Sequence, residues 1–489
     1  MAGNSNLTIR SSGQDKDTPE QARIAYVFLV AFVAAFGGFL FGYDLMIMSG
    51  AQLFLKEHFH LSAEMYGFSN SSAMLGCMAG PFLGAWLCDW LGRKGTLFVA
   101  AFLFAASVMG TALPKDIVTF NIFRILGGVG VGLASIASPM YLAEIAPARS
   151  RGRLGLMYQF AIVVGALMAV GLAWILADSV AEKPSWPLPV FLGSYLSNET
   201  VWRWMFAAEI VPIIFFVGAL IFVPRSPRWL ATKKHHSSAL EILRKINGPQ
   251  QAQVELKEIE ESLIQESSGF SEIFQPGHRR ALVVGSCLGL FNFLTGAAAF
   301  GFYLPTLFKQ GGFEENSAAI FQSVIVNAQS VPLIILAIWL VDRVGRRPLW
   351  LVTSFAMVFA QLIMAYAFHY QLTGGWIVLI ILLCMWPHQL GLGPLPWLMM
   401  SEIHPTRTRA KAVAISTTVL WAAAFLVPAT FPPLAELSKE MIGSIAGVFV
   451  MYSGICVFAF IFGILWLPET KHKTLEEIAS FWKKGSETE

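Results

Sequence analysis

Long apolar stretches, each near the length of a membrane-crossing helix and separated by short polar segments, recur along almost the whole chain. A helix needs roughly 20 residues to cross about 30 Å of hydrocarbon. The pattern predicts spans at 24–46, 66–88, 95–113, 116–144, 154–178, 201–223, 281–309, 317–341, 348–369, 373–401, 411–431 and 443–467. A transmembrane β-barrel would show short segments of alternating polarity instead. The expected fold is an all-α membrane protein of twelve transmembrane helices, with both chain ends on one side.

Composition supports this solvent assignment. With 55% hydrophobic and only 13% charged residues, the chain has too little polar surface for a soluble fold of this size. The loops on the side of the termini hold 27 Lys and Arg and the opposite loops five, with Arg124 and Arg203 in or at the edge of spans. This bias predicts cytoplasmic termini in a multi-pass protein of the plasma (inner) membrane. The net charge of +3 thus reports topology, and its spread over every such loop points away from nucleic acid. Cys77, Cys88, Cys287, Cys384 and Cys456 lie in or beside apolar spans without metal-ligand spacing, as small buried residues do. Residues 1–23 read as a cytoplasmic tail without a cleavage signature. Of two glycosylation-like triplets, at Asn6 and Asn198, only the second falls in an external loop.

Two charged motifs occur twice, in the same order. Asp89-Trp90-Leu91-Gly92-Arg93-Lys94 after the second span matches Asp342-Arg343-Val344-Gly345-Arg346-Arg347 after the eighth. Glu144-Ile145-Ala146-Pro147-Ala148-Arg149-Ser150-Arg151 after the fourth matches Glu402-Ile403-His404-Pro405-Thr406-Arg407-Thr408-Arg409 after the tenth. The repeat predicts two six-helix halves, 24–224 and 281–467, flanked by the tails 1–23 and 468–489 and joined by a cytoplasmic helical linker, 225–280. In the linker, Ser238 and Glu241 have capping-box spacing. Each motif sets acids beside bases on a glycine turn, so Asp89, Arg93, Glu144, Arg151, Arg225, Asp342, Arg346, Glu402 and Arg409 are candidates for a cytoplasmic latch. Its ion pairs are expected to break as the halves rock apart, biasing which side is open. Ordinary positive-inside anchoring is the competing reading.

From about Gly37 to Glu477 the chain resembles the sugar porter family of the major facilitator superfamily. The resemblance rests on Gly37-Gly38-Phe39-Leu40-Phe41-Gly42-Tyr43-Asp44, Arg124-Ile125-Leu126-Gly127-Gly128, Pro139-Met140-Tyr141-Leu142-Ala143-Glu144, Pro224-Arg225-Ser226-Pro227-Arg228-Trp229 and Pro468-Glu469-Thr470. Arg225 stands where the family usually has Glu, and Ala85 where it has Gly. The family's function implies transport of a small solute by alternating access.

Asp44 and Arg124 sit inside apolar spans, where an unpaired charge is costly, and they are natural partners. If they pair, Asp44 stays charged beside Arg124 and accepts a proton when the helices separate, linking protonation to conformation. The resemblance adds that proton-coupled members carry Asp at this position and many facilitative members Asn. Glu209 is a second buried acid able to modulate the pair. A permanent structural ion pair is the alternative, and it predicts transport indifferent to a proton gradient.

A sugar site needs hydrogen-bonding side chains converging on hydroxyls and an aromatic face against the ring. The resemblance assigns Gln159 and Trp397 to such a site, with Trp421 in the eleventh span and an aromatic pair, Phe302 and Tyr303, capping it. The family's seventh-span amides are replaced by Asn292, Phe293 and Ala298, and Ala166 and Ala424 replace further polar positions. Asn292, His388 and Gln389 are nearby polar residues that compensate in part. The cavity is expected to be less polar than a hexose site.

The leading expectation is proton symport of a sugar, polyol or cyclitol by a monomer in the bilayer, without a cofactor. Alternatives are an uncoupled carrier, a less hydroxylated cargo and, from another class, a non-transporting nutrient receptor. No nucleophile, metal cluster or nucleotide loop points to an enzyme; Gly127, Gly128, Gly130 and Gly132 read as helix packing.

Overall fold

In the computed structural model of the chain, the described residues (20–146, 151–182, 184, 196–265, 270–404, 408–471, 473 and 482) form helices and turns, with no strand among them. Twelve segments are long and apolar enough to cross a membrane: Tyr26–His58, Ala63–Trp90, Gly92–Ala112, Ile117–Ile145, Met157–Ser179, Val201–Phe222, His278–Gln310, Asn316–Val344, Arg346–His369, Gly375–Ile403, Lys411–Ile442 and Ala446–Leu465. They are called spans 1 to 12 below. Span 1 runs well past the expected end at 46. Ser49 and Gln52, polar residues beyond that end, are buried inside the protein and let the helix continue to His58. Span 11 likewise continues past 431 to Ile442. Asn6, the motif residues 147–150 and 405–407, and the side chains of Arg151 and Ala298 lie outside the described residues.

The repeat is visible in the packing. Span 1 lies on span 5 as span 7 lies on span 11, and span 3 lies on span 6 as span 9 lies on span 12. Spans 2 and 4 meet backbone to backbone: a Cβ on Gly128 would run into the carbonyl of Ala73, so only glycine permits the approach. Between the halves, on the face that carries the described ends of the chain (the terminal face), lie the linker helices Pro227–Thr232, His236–Asn247 and Pro249–Gln265. The expected capping box is absent. Helix His236–Asn247 begins two residues before Ser238, and Glu241 instead pairs with Lys245 one turn on, at 2.8 Å.

Four spans are interrupted, span 8 by a single turn residue, Gln329, between Asn316–Ala328 and Ser330–Val344. Span 7 breaks at Gly296, whose φ of +90° is strained for any other residue, and the amide of buried Gln361 donates to the freed Thr295 carbonyl at 2.6 Å. Span 10 passes through a π turn, His388–Leu392, after Pro387. Pro396 has no N–H for the carbonyl of Leu392, and the Asn292 amide supplies it, donating to Leu392 O at 3.1 Å and Gly393 O at 2.8 Å. Span 6 is broken between Val201–Ala207 and Ile210–Phe222, with Glu209 at the break.

The latch residues correct the expectation drawn from the motifs. Arg93 bonds Glu144 at 2.7 Å and Arg346 bonds Glu402 at 2.8 Å, whereas Asp89 and Asp342 are exposed and stand 4.0 and 3.9 Å from those arginines. Each glutamate also accepts a hydroxyl, Ser226 on Glu144 at 2.5 Å and Thr470 on Glu402 at 2.6 Å. All these contacts lie within one half, because each pair joins a helix turn to the adjacent span of its own bundle. They stiffen a half and have no need to break when the halves separate. The halves differ at one position. Glu469 accepts the N–H groups of Arg346 and Arg347 at the start of span 9, at 3.1 and 3.0 Å. Its counterpart Arg225 instead stacks on Trp229, 5.1 Å from the ring centroid, and no side chain caps span 3. Arg409 donates to the His404 carbonyl at 3.3 Å.

Removing the partner of a largely buried carboxylate costs about 3–5 kcal/mol. Arg93→Ala is therefore expected to lower the melting temperature of detergent-purified protein sharply, while Asp89→Asn leaves it within error. Equal effects of the two substitutions would refute this ranking.

Candidate functional site

Two clusters occupy the interior, one of charge within the first half and one of aromatic and polar side chains between the halves. In the first, Arg124 on span 4 donates from Nη1 to Asp44 Oδ1 at 2.8 Å and from Nη2 to the Asp44 carbonyl at 3.0 Å. Both side chains are 2% exposed. The Phe206 ring lies under the guanidinium, 5.6 Å away. One turn on, at the break in span 6, Glu209 lies within Coulombic reach of both Asp44 and Arg124. Asp44 Oδ2, Arg124 Nε and Glu209 Oε1 are buried without hydrogen-bond partners among the described residues. The three residues named from the sequence as a coupling group thus come together. The free Asp44 oxygen has an open position for a proton while its neighbour holds the arginine.

In the second cluster, Phe41 on span 1 meets Trp421 on span 11 with ring centroids 5.7 Å apart, and Trp421 meets Trp397 on span 10 edge to face at 6.4 Å. Trp421 is buried with its indole N–H unpartnered, while Trp397 is exposed and Gln159 on span 5 half-buried. Trp397 and Gln159 remain accessible, whereas Trp421 is covered by its neighbours. Others of the expected contacts are engaged elsewhere. Asn292 spends its amide N–H groups on span 10, Gln389 donates to Ser330 on span 8 at 2.9 Å, and the Tyr303 hydroxyl donates to the Pro428 carbonyl at 2.8 Å. His388 is half-buried, with its Nδ1 unpartnered. Phe302 is buried and offers its carbonyl to Gln52.

That last bond belongs to a network between the halves that no motif announced. Ser49 donates to the Gly301 carbonyl at 3.2 Å, Gln52 to the Phe302 carbonyl, and Tyr66 to Gln52 Oε1 at 2.8 Å. The Tyr66 oxygen also lies 2.9 Å from the Thr306 hydroxyl, which is placed to donate to it. The network lies toward the distal face, opposite the termini, against the second segment of broken span 7. It forms the floor of a cavity of about 530 Å³ lined by Lys56, His60, Tyr66, Thr306 and Gln310. Span 5 also packs chiefly on the distal part of span 8. The distal end is closed. The signal in the sequence was Gln52 itself, a polar residue on a helix turn that remains apolar on either side.

Residues 30–482 match the family model described as "Sugar (and other) transporter". The arabinose-proton symporter of Bacillus subtilis (strain 168) is 37% identical over 463 residues, covering 94% of this chain and 96% of that protein. The D-xylose-proton symporter of Escherichia coli (strain K12) is 34% identical over 492 residues, covering 95% and 97%. Among solved structures, the inward open conformation of the E. coli xylose transporter XylE is similar with a TM-score of 0.79 at 32% identity, covering 93% of this chain and all of that one. XylE bound to 6-bromo-6-deoxy-D-glucose gives 0.77 at 34% identity, covering 94% and 100%.

With spin labels on the exposed residues His60 and Gln310, Gln52→Leu combined with Tyr66→Phe is expected to increase the population with a longer distal distance. Loss of buried hydrogen bonds worth about 1 kcal/mol each predicts at least about a fivefold shift. An unchanged distance distribution would show that the network does not hold the distal end shut.

Proposed function

Since the chain belongs to the sugar transporter family of the major facilitator superfamily, we propose that it carries a sugar together with a proton across the plasma membrane by alternating access, as a monomer. The terminal face is cytoplasmic, on the strength of the basic-residue bias, and the closed distal end then makes this an inward-facing form. The observation that carries the coupling claim is the buried Asp44–Arg124 pair with one carboxylate oxygen left free. A proton on Asp44 removes the charge that holds Arg124, and the nearby Glu209 is the alternative anion for the guanidinium. The arginine thus keeps a partner at each stage, which a buried charge requires. Asp44, Arg124 and Glu209 are the coupling residues of this reading.

The cargo contacts are Trp397, Trp421 and Gln159, with His388 beside them; Asn292 and Gln389 act through span 10 and span 8, and Phe302 and Tyr303 through the distal closure. The Trp397 indole, backed by Trp421 and Phe41, presents an apolar face, and few side-chain amides remain. That balance suits a sugar with fewer hydroxyls than a hexose. Two of the relatives, an arabinose-proton and a D-xylose-proton symporter, support a pentose as the first candidate. Polyols and cyclitols belong in the same panel.

In proteoliposomes with an internal pH dye, a pentose is expected to drive proton uptake, and Asp44→Asn to abolish that signal while solute exchange persists. A signal that survives Asp44→Asn removes the aspartate from coupling. Exchange of a labelled sugar with no pH change in the unaltered protein makes it an uncoupled carrier.

A further inference from the structure

His404 is the first residue beyond span 10 and stands where the repeated motif of the first half has Ala146. The residue is 2% exposed and, among the described residues, neither ring nitrogen has a hydrogen-bond partner. The hydroxyls of Thr408 and Ser416, on either side of the start of span 11, are buried and equally unpartnered. Span 7 supplies bare backbone at this spot. A Cβ on Gly285 would stand 2.8 Å from His404 Nε2 and 2.9 Å from Ser416 Oγ, so both polar atoms converge on one point of the helix surface. Buried polar groups are nearly always satisfied, and a cluster of unsatisfied ones marks a place that takes up something else. A phenyl ring would fill the same volume without stranding two nitrogens.

We propose that His404, with Thr408 and Ser416, forms a second proton-binding site, apart from the transport path, through which cytoplasmic acidity acts on the carrier. The access route is covered by Trp482, 5% exposed, whose indole N–H donates at 2.9 Å to the carbonyl of Ile403, immediately before the histidine. Burial, and secondarily the Arg409 guanidinium, holds the His404 imidazole down to about 4. Arg409 is the charge that span 11 brings to it. Glu402, two residues back on span 10, is engaged by Arg346 and Thr470. Span 7 contributes Gly285.

The direction of the effect follows from this difference. An exposed imidazole takes a proton near 6.5 and the covered one near 4, so as pH falls below 6.5 protons are bound by conformations that uncover the site. The covered, inward-facing arrangement is fully favoured above pH 6.5 and loses about tenfold against the uncovered one at pH 5.5. Uncovering releases Trp482 from the Ile403 carbonyl at the end of span 10, so acid in the cytoplasm disfavours this form and slows the carrier.

The cytoplasmic assignment and the effect on rate rest on the proposed transport function, but the protonation of His404 can be read without any substrate. In full-length protein labelled at histidine Cε1 with carbon-13, the His404 resonance is identified by its loss in His404→Phe. Its NMR titration midpoint is expected below 5, rising by at least about one unit in Trp482→Ala, which uncovers it. A midpoint near 6.5 that ignores Trp482→Ala overturns the site. Sugar exchange at equal pH on both sides is expected to fall between pH 7 and 5.5, by at most about eightfold, and to be flat over that range in His404→Phe. The same acid limb in His404→Phe overturns the regulatory role, and His404→Gln serves if the phenylalanine variant fails to fold.

Discussion

Hydrocarbon offers no hydrogen bond, so every backbone group that a broken helix releases inside the membrane must find a partner within the protein. That constraint sorts the interior polar residues into two kinds. Gln361 serves the carbonyl freed at the span 7 break, and Asn292 serves the carbonyl that Pro396 leaves vacant in span 10. These residues exist to let helices break. The second kind, Asp44 Oδ2, Glu209 Oε1 and the Trp421 indole, serve no backbone and have no partner. Unpaired polarity of this depth is expensive to maintain.

The same sorting explains how rigid halves can move. Each half is tied by a glutamate held between an arginine and a hydroxyl, Glu144 with Arg93 and Ser226, Glu402 with Arg346 and Thr470. These ties are internal, so a rocking motion leaves them intact. Beside the packing of span 5 on span 8, the halves are held together at the distal end by a small set of hydrogen bonds between span 1 and the second segment of span 7, with Tyr66 joining them. Hydrogen bonds contribute about 1 kcal/mol each, so an exchange of a few of them lies within reach of a proton and a small solute.

Span number, duplication, the helical linker and the Asp44–Arg124 pair were legible because each depends on residue type and spacing alone. Apolar length counts the helices, and a charge in an apolar run demands a partner. What could not be read was direction. Asp89 is nearer Arg93 in sequence than Glu144 is, yet Glu144 makes the bond, because only the fold turns it inward. Asn292 looked like a ligand for hydroxyls because its amide is competent for that role; its engagement by span 10 depends on a proline a hundred residues away. The extension of span 1 through Gln52 was hidden for the same reason: polarity along a helix ends it only if the polar face meets water.

The two halves have divided the work unequally. The first half carries the interior charges, while the second carries the left-handed break of span 7 and the π turn of span 10 and therefore has the parts able to bend. Any coupling between proton and cargo has to cross from one to the other. Phe41 is three residues before Asp44 on span 1, close to the same helix face, and its ring rests on Trp421, which in turn meets Trp397. A change in how Arg124 holds span 1 reaches the aromatic surface through one side chain. Conversely, on the proposed reading, a solute bound against the Trp397 indole would press on the helix that bears Asp44. Binding and protonation influence each other equally in such an arrangement, as linkage requires, and no longer chain of contacts is needed to join them.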